Sequence, residues 1–101
     1  MEFSEEIKDL YFKLQRKNSW EPREYTMGEI EIISREALEI IHNHNVDHEA
    51  IPAFKKVKER SDYYHINNGT ARKIPKNILE VKELAIQAFQ EFFDIEPGIT
   101  P

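Results

Sequence analysis

Over most of this chain apolar residues recur three and four positions apart, the spacing of one face of an α-helix. Phe3, Ile7, Leu10, Tyr11 and Leu14 form the first stripe. With Ser4 as N-cap and Glu5 and Glu6 in the first turn, they predict a helix from 4 to about 18. Pro22 follows in the segment that closes it, since the residue before a proline disfavours the helical region. The second stripe is Ile30, Ile33, Ala37, Ile40 and Ile41. It stands behind a capping-box sequence, Thr26-Met27-Gly28-Glu29, with Tyr25 placed to staple onto Ile30. Glu31, Arg35 and Glu39 read as a solvent ladder on the other side. This helix fades at 42–45, where Asn45 is available for a left-handed C-cap.

The third helix has two candidate starts. Either Asp47 caps it, or a turn at 47–50 precedes it and Pro52 falls in its first turn, the helix reaching about 60. Phe54, Val57 and Ser61 face inward in either case. No helical period is evident from 61 to 74, and Asn68-Gly69 is the favoured pair of a type I′ turn, so this stretch reads as a β-hairpin or an ordered loop. A fourth helix opens at Pro75 and runs to about 93 on Ile78, Val81, Ala85, Ala88, Phe89 and Phe92. Leu79, Ile86 and Phe93 widen its apolar arc on one flank and Leu84 on the other. One neighbouring helix cannot cover such an arc, so this helix is either central or part of a self-association surface. The expected fold is all-α: a four-helix bundle in one domain over 1–101, with a hairpin or loop between the third and fourth helices and a frayed tail at 97–101.

The 101 residues are 33% charged and 40% apolar, which suits one hydrophobic core and leaves no run able to span a bilayer. There is no cysteine, which excludes disulfides, a thiolate nucleophile and cysteine-ligated zinc. The first residues lack the basic and apolar regions of a signal peptide, so a cytoplasmic location is expected and Asn68-Gly69-Thr70 reads as a turn, not a glycosylation acceptor. Charge is uneven: residues 1–50 carry 6 basic and 12 acidic side chains, whereas 55–76 carries 7 basic and 2 acidic.

Three candidate sites follow. His42, His44 and His48 lie near Asp47 and Glu49, a ligand chemistry suited to zinc or a redox metal. Their spacing does not preform a site, because His42 and His44 point about 200° apart on a continuous helix. Glu39 and His42 form a Glu-x-x-His pair, echoed weakly by Asp62 and His65. The second candidate is a nucleic-acid surface on 55–76, with Lys55, Lys56, Arg72 and Lys73 for phosphates and Tyr63 and Tyr64 for stacking. The third is a protein-binding surface. Phe12 and Ile32 are apolar residues off the core face, Trp20 stands in a loop, and Leu79, Ile86 and Phe93 form the surplus flank of the last helix. No nucleophile elbow, phosphate loop or dinucleotide fingerprint occurs, and no catalytic residue or cofactor is assigned. The leading expectation is a non-enzymatic interaction or regulatory protein, an inhibitor or adaptor whose partner is another protein or a second copy of itself. The alternatives are a nucleic-acid-associated protein using 55–76 and a metal-dependent enzyme using the three histidines.

Overall fold

The stretches of helical spacing become α1 (Phe3–Arg16), α2 (Thr26–His44), α3 (Ile51–Asn67) and α4 (Pro75–Ile95), with a 3-10 turn at Ala71–Lys73. The computed structural model describes residues 3–16, 26–67 and 70–96, apart from the side chains of Ser4, Thr26, Ile66 and Asn67. Among these residues there is no strand, and no helix is long and apolar enough to cross a membrane. Phe3 stacks on His44, Tyr64 meets Glu80 and His48 packs on Phe92, so successive helices run antiparallel. Both α2 and α4 touch all three other helices, whereas α1 and α3 do not approach each other.

Each helix buries the stripe that its spacing predicts. Ile7, Leu10, Tyr11 and Leu14 of α1 meet Ile30, Ile33, Ala37 and Ile41 of α2 and Phe54 and Val57 of α3 around the α4 row. That row is Ile78, Val81, Ala85, Ala88, Phe89, Phe92 and Phe93. Phe89 is the hub: its ring lies 5.1 Å from that of Phe54, edge to face, and 5.5 Å from that of Tyr11. The wide arc of α4 is thus mostly consumed by its contacts with all three neighbours.

Several boundaries differ from the sequence reading. Ser4 stands inside the first turn of α1, which starts at Phe3. The staple residue Tyr25, the side chain of Thr26, Trp20 and the Asn68-Gly69 pair lie outside the described residues. Asn45 is not left-handed, since no described residue other than glycine has positive φ. Its N–H donates to Ile41 O at 2.8 Å, and its side-chain oxygen accepts from the N–H of Asp47 at 3.0 Å. Two consecutive turns then lead into α3, with Pro52 in its first turn, where a missing N–H costs nothing.

The main correction is the hairpin. Residues 61–67 continue α3, and 71–73 form the 3-10 turn. Phe54, Val57, Ser61 and Tyr64 are three and four apart, but two of the four are polar, which hides the period. The structure satisfies both: buried Ser61 donates to Glu31 at 3.0 Å, and the Tyr64 hydroxyl donates to Glu80. Glu31 is therefore turned toward α3 and does not belong to the solvent ladder. The 3-10 turn lies against the start of α2, where Gly28 leaves room for the Arg72 guanidinium. Ile74, extended as a residue before proline must be, hands the chain to α4.

Candidate functional site

α3 presents two different flanks beside its buried stripe, and they divide the basic segment. On the flank toward α2, Lys58 pairs with Asp62 at 2.7 Å. Arg72 reaches His65 at 3.3 Å. On the flank toward α4, Lys56, Arg60 and Tyr63 stand four and three residues apart on one face. An open groove of about 370 Å³ runs between this row and α4, lined by Lys56, Glu59, Arg60, Tyr63 and Leu84. The fold thus gathers Lys56, Tyr63 and Tyr64 and leaves Arg72 on the other side of α3.

Glu80 braces the groove from α4. One of its carboxylate oxygens takes the Arg60 Nε at 2.8 Å, and the other accepts the Tyr64 hydroxyl. The arginine held there lies 5.3 Å from the centre of the Tyr63 ring and 5.9 Å from that of Tyr64, within cation–π range. The Tyr63 ring is fixed further by an edge contact with Tyr64 at 5.3 Å, yet the residue remains 53% exposed.

Tyr64 carries a testable electrostatic signature. Its hydrogen bond to Glu80, with burial and the carboxylate charge adding to it, raises the phenol above its ordinary value. A raised folded-state value means the stabilisation is complete below the unfolded phenol value, about 10, and is lost as pH rises through the folded one. Wild type is therefore expected to lose more stability than Tyr64→Phe between about pH 8 and about pH 10.5. Urea titrations at both pH values check this; an unchanged difference between the two proteins would show that the bond carries no linkage.

The histidines are not drawn into one ligand set. Among the described residues no group of three or more His, Asp or Glu side chains is arranged to hold a metal ion. His42 is exposed. His44 lies flat on Phe3, 4.1 Å between ring centres. His48 is buried with both ring nitrogens engaged: Nδ1 accepts the Ala50 N–H at 3.1 Å and Nε2 meets Glu96 at 3.2 Å. The acceptor role of Nδ1 leaves the ring proton on Nε2, which donates to the carboxylate.

The apolar candidates are spread over the surface. Phe93 is buried against Tyr11, 5.2 Å between ring centres, and so belongs to the core. Seven and fourteen residues before it, Ile86 is half-buried and Leu79 is 51% exposed. Phe12 is 44% exposed beside Tyr11, on the α4 side of α1. Between Leu79 and Ile86, burial lowers the value of the Lys82 ammonium, which marks this flank as partly dry. Ile32, also exposed, sits on the outer side of α2, apart from that row.

Sequence reasoning missed Glu80, and it did not bring Arg60 of the basic segment and Leu84 of the last helix together in one groove. The Lys56, Arg60 and Tyr63 row is visible once the helix is carried to 67, but no local signal pairs it with Glu80. Comparison with known protein families, with curated proteins and with solved structures finds no match to this chain.

Proposed function

We propose that this is a non-enzymatic interaction protein of the cytoplasm that pairs through the α1–α4 face, with a second copy of the chain as its partner. The observation that carries this reading is the partly exposed apolar surface of α4 and α1: Leu79 is 51% and Phe12 44% exposed, and Ile86 is half-buried against the core. Exposed apolar surface joined to a core is what interfaces use. Leu79 and Ile86, seven residues apart on α4, stand on one flank along which a second helix can be laid. An identical helix about a two-fold axis is the simplest such occupant. The reading assigns no catalytic residue and no cofactor.

Light scattering over a wide concentration range tests it. Wild type is expected to form a dimer, and Ile86→Glu or the more exposed Leu79→Glu a folded monomer, with helicity followed by circular dichroism. A wild type that stays monomeric at high concentration overturns the dimer. So does a dimer that survives both substitutions.

A further inference from the structure

We infer that the groove between α3 and α4 is a stacking site for a nucleotide of single-stranded nucleic acid. This surface is separate from the α1–α4 face and does not depend on it. Three features of the groove point to the ligand. First, Tyr63 is 53% exposed, and the Arg60 guanidinium and the edge of Tyr64 help to fix its ring. A ring immobilised before binding loses little entropy when a base stacks on it. Second, Arg60 is itself locked, because Glu80 holds its Nε and is held in turn by the Tyr64 hydroxyl. Third, Leu84 provides an apolar patch beside the ring, and Lys56 places an exposed ammonium one helical turn before Arg60 on the same face.

The charges decide what kind of nucleotide fits. Arg60 is neutralised by Glu80, and Glu59 lines the groove, so Lys56 is the cation left for a phosphate within it. That is too little to hold the clustered charge of a free nucleoside triphosphate. A polymer meets the groove differently, because its phosphates are spaced along the track. Lys56 stands at one end of that track, and exposed Lys76 stands beyond the other, one turn before Glu80 on α4. The acidic side chains of α2 do not line the groove: Glu31 meets α3 on the opposite flank, at Ser61. With few cations engaged, stacking has to carry the affinity, and the salt dependence is shallow.

The test is fluorescence anisotropy with a labelled thymidine oligonucleotide of about twelve residues, at about 50 and 200 mM salt. The same assay is run with a backbone of equal length that lacks bases, and with free thymidine monophosphate as competitor. Binding of the oligonucleotide by wild type is expected, with Tyr63→Ala weakening it about tenfold or more and Tyr63→Trp retaining it. Lys56→Gln is expected to reduce the salt slope by about one. Three results would each overturn the inference: no binding at the lower salt, equal binding by Tyr63→Ala, or equal binding of the base-free backbone. The last comparison needs no variant, so it stands even if a substitution disturbs folding. A monophosphate that competes as well as the oligonucleotide would reject the polymer as the ligand.

Discussion

Phe89→Ala is expected to destabilise the protein by about 3–5 kcal/mol, the range for truncating a fully buried phenylalanine. The side chain has no exposed surface and stands where three helices meet, against Phe54 of α3 and Tyr11 of α1. Neither neighbour is free to collapse into the space. Tyr11 is also held by Phe93. Phe54, itself buried, is anchored near the start of α3, where its N–H bonds to Ala50 O at 3.3 Å. Small domains have only about 5–15 kcal/mol in all, so the variant should be partly unfolded under conditions where wild type is native. Urea or guanidinium titration gives the difference directly. A loss below about 1 kcal/mol would mean that α4 is not the hub of the core.

His48→Ala is expected to cost roughly 3 kcal/mol, for a different reason: it removes an acceptor from a buried donor. The Ala50 N–H points at Nδ1 at the entrance to α3, ahead of the intrahelical ladder. Left without a partner, such a group costs about 1–3 kcal/mol, and the lost ring adds its packing on Phe92, 5.2 Å between ring centres. The bond to Glu96, whose carboxylate is 40% exposed, contributes less, because water can replace it there. His48→Asn separates these contributions. An asparagine side chain can accept from the N–H two residues on, as Asn45 already does for Asp47. It should recover about 1 kcal/mol of the alanine loss. If alanine and asparagine are equally destabilising, the Ala50 bond is not the source of the effect.

What was legible in the sequence is whatever depends on helical period alone. Ile7, Leu10, Leu14, Ile30, Ala37, Ile41, Val81, Ala85 and Phe89 all reach the core because an apolar stripe can be buried in only one way. The second half of α3 escaped this logic. Ser61 already reads as facing inward, but Tyr64, the next stripe position, depends on Glu80, a partner far off in sequence that only the fold supplies. The same holds for the histidines. His48 has the side chain of a metal ligand, and its use as an acceptor for Ala50 follows from backbone turns that no spacing rule encodes. Phe93 read as surplus because the chain does not announce that Tyr11 will lean on it. Phe12 and Ile32, by contrast, were correctly placed outside the core, since an off-stripe position needs no knowledge of the partner helices.

The separation of α1 from α3 has a consequence for how cohesion is distributed. Among the described residues, α2, α3 and α4 form a closed triangle in which every pair of helices is in contact, while α1 lies across α2 and α4 only. Removing α1 would uncover Phe89 and Phe93 but would leave the three helix pairs of the triangle in place. Separating the first helix gives up less contact than separating any other, so partial opening is expected to begin there.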